Sequence, residues 1–318
     1  MIDRRSVLLA GISALPAFVA GRRPAFASLT RTLDGRVQLP DGRCLGYADY
    51  GDASGPLVLY FHGTPGSRLE GKLIADEAAT AGIRLVAVGR PGMGLSDYQS
   101  NRRILDWPAD VACLVQALGY GDSAFGILGL SGGAPYALAC VRAMPSRITH
   151  AAICSGHTPM NAPGVARGNQ DRVIEFVNRR PRIASAFIGG MIRQLDRHPN
   201  RITERIGENW SAADRRLILD DPVLRAELVL TLKEAARHGP QGIVTDVGLL
   251  ARPWGFRLDD LPPASISIWQ GACDPIAPPS MGHYFHQHLV GSELTIDTTA
   301  GHLTMLKWHA AEIMQRFV

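Results

Sequence analysis

The chain predicts an α/β fold, a mostly parallel central sheet covered by helices on both faces and interrupted by a helical insertion. Three observations predict it. Between residues 57 and 154, apolar runs of strand length alternate with helical segments. From 157 to 253 the alternation gives way to consecutive helical patterns. Two further strand-like runs, 265–269 and 293–297, then resume it. The expected organisation is a core in two parts, 28–156 and 254–318, a helical cap over 157–253, and a separate N-terminal segment, 1–27.

Each element has a local reason. Residues 36–39 and 45–50 flank Pro40-Asp41-Gly42-Arg43, a turn signal between two strand-like runs. Residues 57–61 are apolar throughout, as a strand buried on both faces requires. The pattern over 70–81 is helical and ends at Gly82. Residues 84–88 read as the next strand, and Arg90-Pro91-Gly92-Met93-Gly94 after them as a loop. An amphipathic helix is expected over 107–118, stopped by Gly119, with strands at 124–130 and 148–154. Within the insertion, Ser211-Ala212-Ala213-Asp214 has the form of a capping box, and 223–237 is the longest periodic stretch. An insertion there would stand over the C-terminal edge of the sheet, where open α/β sheets hold ligands. Its Phe176, Phe187, Met191 and Trp210 point to an apolar pocket. Its removal is expected to leave a foldable core.

The most specific motif is Gly129-Leu130-Ser131-Gly132-Gly133, a G-x-S-x-G run between an apolar strand and a stretch rich in helix formers. A sharp strand-to-helix turn puts Ser131 at its tip, with the hydroxyl projecting from the sheet. Gly129 and Gly133 fit a turn too tight for side chains, and Pro135 suits the first turn of the helix. Serine needs a base, and the base needs a third group to orient it. Asp274 stands just past the strand at 265–269, and His302 follows the last strand, 28 residues later. Serine, acid and histidine therefore come in the order this architecture requires. His62-Gly63-Thr64-Pro65-Gly66 follows the strand at 57–61. Its loop can complete an oxyanion hole with the N–H of Gly132, and Thr64 is the expected donor because Pro65 has no N–H.

His283, His286 and His288 form the only histidine cluster. Positions 283 and 286 share a helix face, but no carboxylate or cysteine stands near in sequence, so a solvated face is expected and no metal or other cofactor. His150 and His157 have no acidic partner in sequence.

The 318 residues are 46% hydrophobic, enough for one large domain with an insertion. At the N-terminus, Arg4-Arg5 precede a mildly apolar stretch and Ala25-Phe26-Ala27 has the form of a cleavage site. Residues 1–27 are expected to be an export signal of the twin-arginine kind, directing the protein to the periplasm or beyond. They carry +3 of the chain's +4 charge, so the remainder is nearly neutral and nucleic acid is not an expected partner. The apolar stretch is too short for a stable membrane span. The five cysteines, Cys44, Cys113, Cys140, Cys154 and Cys273, show neither metal spacing nor the signs of a disulfide framework.

Taken together, these segments resemble the α/β-hydrolase superfamily from about residue 35 to the end. Residues 89–97, Gly-Arg-Pro-Gly-Met-Gly-Leu-Ser-Asp, look like that family's D-R-P-G-x-G-x-S motif, with Gly89 where the motif has aspartate. The resemblance implies an α/β-hydrolase fold with a helical cap and a serine esterase that cleaves an ester, lactone, thioester or amide through an acyl-enzyme. Its catalytic residues would be Ser131, Asp274 and His302, with Thr64 and Gly132 as oxyanion donors and His62, Gly63, Gly129 and Gly133 in support. A serine at the elbow speaks against haloalkane dehalogenases and epoxide hydrolases, which use aspartate there. The substrate expected is a small molecule with an apolar acyl part. Alternatives are an acyltransferase using the same triad, a proline-iminopeptidase-like aminopeptidase, and a non-catalytic binding protein of the same fold.

Overall fold

The computed structural model describes residues 33–318. The export signal expected over 1–27 lies outside them. Eight strands form one sheet: β1 (Leu33–Gln38), β2 (Cys44–Gly51), β3 (Leu57–Phe61), β4 (Arg84–Val88), β5 (Phe125–Leu130), β6 (Ile148–Cys154), β7 (Ile266–Gly271) and β8 (Glu293–Asp297). Their order is β1-β2-β4-β3-β5-β6-β7-β8. The first two strands pair antiparallel, and β2 pairs antiparallel with β4. From β4 to β8 every pairing is parallel.

The two sides of the sheet show the two-residue period of a strand. Leu57, Leu59 and Phe61 enter one apolar core, and Val58 and Tyr60 enter the other. Helices α2 (Trp107–Ala117), α3 (Ala134–Ala143) and α10 (Pro279–His288) cover the first side. Helices α1 (Ala75–Thr80), α11 (His302–Trp308) and α12 (Ala310–Gln315) cover the second. The helix expected over 70–81 divides into a 3-10 segment, Arg68–Ile74, followed by α1.

Between β6 and β7 the chain makes six helices: α4 (Asp171–Arg179), α5 (Pro181–Arg197), α6 (Pro199–Gly207), α7 (Ala212–Leu219), α8 (Pro222–Ala235) and α9 (Gln241–Leu250). Ile174, Val177, Ala184, Ile243 and Val247 form a cluster of their own, which Met93 of the Arg90–Gly94 loop enters from below. The contact between α9 and this loop is made backbone to backbone. A Cβ on Gly92 would lie 2.9 Å from the Cα of Gly242, so two glycines face each other where side chains would hold the layers apart.

Strand order reverses at β3, whose neighbours β4 and β5 are reached by connections running opposite ways. Such a switch point opens a crevice at the C-terminal ends of the strands. Phe61 and Gly129 are partners in register across β3 and β5, so the loop after β3 and the turn after β5 begin side by side.

Candidate active site

Ser131 follows β5 directly and precedes α3. Its φ is +52°, left-handed space that a residue with a Cβ occupies only under constraint. The motif glycines explain how the turn closes. A Cβ on Gly129 would meet the carbonyl oxygen of Gly133 at 2.9 Å, and one on Gly133 would run into the carbonyl of Phe61. Among the described residues the Ser131 hydroxyl has no hydrogen-bond partner, so the structure does not form the bond between nucleophile and base that the sequence reading calls for.

The acid and the histidine are together. Asp274, in the loop after β7, is 3% exposed. One carboxylate oxygen, Oδ1, accepts from the N–H groups of Ile276 and Ala277 at 2.8 and 3.0 Å. The other, Oδ2, faces His302 Nδ1 at 2.7 Å. An ionised carboxylate only accepts, so Nδ1 carries the proton and Nε2 presents a lone pair. That Nε2 has no hydrogen-bond partner among the described residues. Burial opposes charging of the ring, but Asp274, with Asp214 and Glu70 behind it, outweighs burial and holds His302 above its usual value.

Two other histidines stand close and are accounted for. His157 sits beside the serine, its N–H donating to the Ser131 carbonyl. Contrary to the sequence reading it has an acidic partner: Nε2 lies 3.2 Å from Asp171 and Nδ1 lies 2.9 Å from the Thr158 carbonyl. Both ring nitrogens are engaged, which leaves none to act as a base. His62 is wholly buried, and burial, helped by the Arg90 charge, pushes it down to about 3. It is neutral, donating from Nδ1 to the Gly63 carbonyl and accepting the Arg90 N–H on Nε2.

The loop after β3 is fixed from behind. The guanidinium of Arg90 donates to the His62 carbonyl at 2.6 Å and the Gly63 carbonyl at 2.9 Å. The Gly63 carbonyl and the Thr64 N–H belong to one trans peptide, so they point opposite ways. Arg90 behind the carbonyl therefore turns the Thr64 N–H away from itself. Glu70 takes the Gly63 N–H at 2.7 Å, and the Tyr60 hydroxyl at 2.7 Å as well. Among these amides, those of Thr64 and Gly132 have no acceptor among the described residues.

Neither sequence motif foresaw what holds Arg90. Gly89 offers only main chain, and the carboxylate arrives from α9 instead: Asp246 binds Arg90, Arg102, the Tyr136 hydroxyl and the Thr64 hydroxyl, each at 2.7 Å. Its burial is complete, and the two guanidinium charges overcome that burial to keep it far below the carboxylate range. The one signal in sequence was a single acid within the apolar run Ile243-Val244-Thr245-Asp246-Val247. Asp214 was read as the second half of a local capping box. The Ser211 hydroxyl does accept from the Asp214 N–H at 3.0 Å, but the Asp214 carboxylate goes to α11.

A cavity of about 540 Å³ opens over Ser131 and Thr64, its walls formed by the helices between β6 and β7. Phe176, Phe187 and Met191 line it as expected. Trp210 does not: it sits in the turn before α7, beside Gly207. The other lining residues that matter are Ile243, Val247 and Leu250 of α9, which share that lining with Ser131. On α10, His288 pairs with Asp259 at 2.7 Å and His286 with Ser292 at 3.1 Å, so a carboxylate distant in sequence reaches that cluster. No group of residues suited to a metal ion occurs among the described residues. No helix among them is long and apolar enough to cross a membrane, and all five cysteines are free.

Strand order, a serine at a strained strand-to-helix turn and an Asp–His pair after β7 and β8 define the α/β-hydrolase class. The sequence profile of the Alpha/beta hydrolase family matches residues 57–312, and the chain belongs to that family. A non-heme chloroperoxidase of Streptomyces lividans is 33% identical over 134 residues, 40% of this chain and 46% of that protein, so the match spans less than half of the relative. Among solved structures, an α/β-hydrolase fold protein from Nakamurella multipartita is similar at a TM-score of 0.65 and 23% identity, over 89% of this chain and 99% of that one. A thermophilic esterase from Thermogutta terrifontis is similar at 0.65 and 20%, over 89% and 96%. A bromoperoxidase from Bacillus anthracis gives 0.67 and 17%, over 89% and 97%. At such identities these likenesses establish the fold alone.

Proposed function

We propose that this protein is a serine hydrolase that cleaves a carboxylic ester or a related acyl bond through an acyl-enzyme. The observation that carries the reading is the 2.7 Å bond between Asp274 and His302 Nδ1, which leaves Nε2 as the lone-pair nitrogen of a ring at the start of α11. In this reading Ser131 Oγ attacks the acyl carbon and its proton passes to His302 Nε2. The Thr64 and Gly132 N–H groups donate to the oxygen that gains charge. The tetrahedral intermediate collapses, His302 returns the proton to the leaving oxygen, and a water activated by the same Nε2 releases the acid. The apolar cavity over Ser131 supports an apolar acyl or alcohol part in the substrate.

The test is a fluorophosphonate probe, followed by a graded series of p-nitrophenyl esters and a set of aminoacyl amides. The expected result is a label on the peptide carrying Ser131, none in Ser131→Ala, and turnover of esters ahead of amides. No label and no turnover by the folded protein would leave a binding protein of this fold. Turnover of the amides ahead of the esters would favour an aminopeptidase, and acyl product on an added alcohol or amine would favour acyl transfer.

The same proposal places the protein outside the cytoplasm, addressed by Arg4-Arg5 and the segment to Ala27. N-terminal sequencing checks this: a start near Ser28 in the exported fraction is expected, and an intact Met1 end in the cytoplasm would refute it.

A further inference from the structure

An α-helix begins with N–H groups that have no acceptor within the helix, and a side chain at or near its start usually covers them. The helix α11 begins at His302 itself, and the residue before it is Gly301, which has no side chain to offer. The acceptor comes from the insertion instead. Asp214, in the first turn of α7 and 88 positions earlier, takes the His302 N–H on Oδ2 at 2.7 Å. On Oδ1 it takes the N–H groups of Leu303 and Thr304, at 3.0 and 2.8 Å, and the Thr304 hydroxyl at 2.9 Å. The Ser211 hydroxyl donates to Oδ2 at 2.8 Å and completes its shell. The absence of a side chain at 301 is what makes room: a Cβ there would collide with Ser211 Oγ and Asp214 Oδ2. The carboxylate is wholly buried.

We infer that Asp214 is a positioning residue for His302, a carboxylate lent by the helical insertion that fixes the main chain of the base and adds negative charge beside its ring. This rests on the reading of His302 as the base. Three bonds then locate that residue: Asp214 on its N–H, the Ser155 hydroxyl on its carbonyl at 2.9 Å, and Asp274 on its ring. With both ends of the peptide and Nδ1 held, the direction of Nε2 is set. Loss of one anchor lets the ring swing, and a displacement of about 1 Å at a reacting group costs up to about a hundredfold in rate. The charged groups that act on the ring are Asp274 from the loop after β7, Asp214 from α7 and Glu70 from the segment after β3, all three favouring the imidazolium against burial.

The experiment titrates the His302 ring by NMR in the full chain, with the signal assigned by its loss in His302→Gln. In parallel, kcat and KM are measured per fluorophosphonate-titrated serine. Asp214→Asn should lower the ring's titration midpoint, and the acid limb of kcat/KM with it. Its kcat should fall about tenfold to a hundredfold while KM stays within about threefold. Asp214→Glu keeps the charge but not the reach, so the midpoint should stay near that of the wild type while kcat falls. An unchanged midpoint and an unchanged kcat per titrated site in Asp214→Asn would overturn the inference, whatever happens to thermal stability. Should that variant fail to fold, wild-type kcat in both Asp214→Glu and Ser211→Ala would overturn it equally. A wild type that takes no label and turns over no ester sinks the hydrolase reading instead. A midpoint that still falls in Asp214→Asn would then keep Asp214 tied to the ring.

Discussion

Arg90 and Asp246 meet along one edge of the guanidinium, Nε 3.0 Å from Oδ1 and Nη2 2.7 Å from Oδ2, with neither side chain reaching solvent. The pair spans 156 positions and joins the loop under the candidate oxyanion hole to α9. Replacing Asp246 by Asn would leave two buried guanidinium groups facing a neutral amide. Removing one partner of a buried pair typically costs about 3–5 kcal/mol. Urea denaturation should show a loss of that order, and kcat should fall with it because Arg90, which holds the Gly63 carbonyl, loses its own anchor. A variant as stable as the wild type would mean that the Arg90 and Arg102 charges are met elsewhere.

At Ser131 the left-handed turn predicts an order of stabilities. An L-residue in that region carries about 1–2 kcal/mol that glycine does not. Ser131→Gly should therefore be more stable than Ser131→Ala by about 1 kcal/mol, even after glycine's greater freedom in the unfolded chain. Both should be inert towards the probe. Equal melting temperatures would show that the turn is not strained.

The Asp274→Asn variant should keep its fold and lose about 10²–10⁴ in kcat with little change in KM, because the ring loses both its tautomer and its hold on the developing charge. Near wild-type turnover would assign the acid's role to another carboxylate.

Activity and stability should respond oppositely to pH in one window. His302 is held above its ordinary value of 6.5. The proposed base is the neutral ring, so kcat/KM should rise through a limb lying above that value. The folding contribution has the other sign. A raised value in the folded state stabilises fully below 6.5 and is lost as pH climbs through the folded value. The difference in melting temperature between wild type and His302→Gln should accordingly shrink from pH 6 upward while activity grows. Parallel trends would contradict the assignment.

Deleting residues 160–250 should not give the independent core that the sequence suggests. The cut would strip Asp246 from Arg90 and Arg102, and Asp214 from the start of α11. Insoluble or molten product is expected by near-UV circular dichroism, and a cooperative melt of the deleted protein would refute it.

The sheet, its helices and the turn that carries Ser131 were legible because each is written locally. Short apolar runs bounded by turn residues, such as 57–61, read as buried strands, and Gly129 and Gly133 mark a turn whose tightness the carbonyls of Gly133 and Phe61 explain. What stayed hidden is long-range. The sequence Ser-Ala-Ala-Asp is an equally good local cap whether Asp214 turns back on its own helix or across to another, and only the side-chain-free Gly301 decides between them. Asp246 carries no motif at all; its meaning lies in which charges the fold brings to it. Trp210 failed for the opposite reason, since an aromatic in an insertion says nothing about which way it faces.

One strand has a consequence for heat. The strand β8 lies at the margin of the sheet, paired to β7 alone, and none of its five residues is fully buried. His302 follows five positions behind it. Proteins open locally at their least buttressed edges well before they melt as a whole. Warming should thus loosen the strand that leads to His302 while the inner strands, and the turn at Ser131 after β5, still hold their places. The temperature at which the proposed activity ceases would then be set at this rim, and repairs aimed at the already dense interior would do little to raise it.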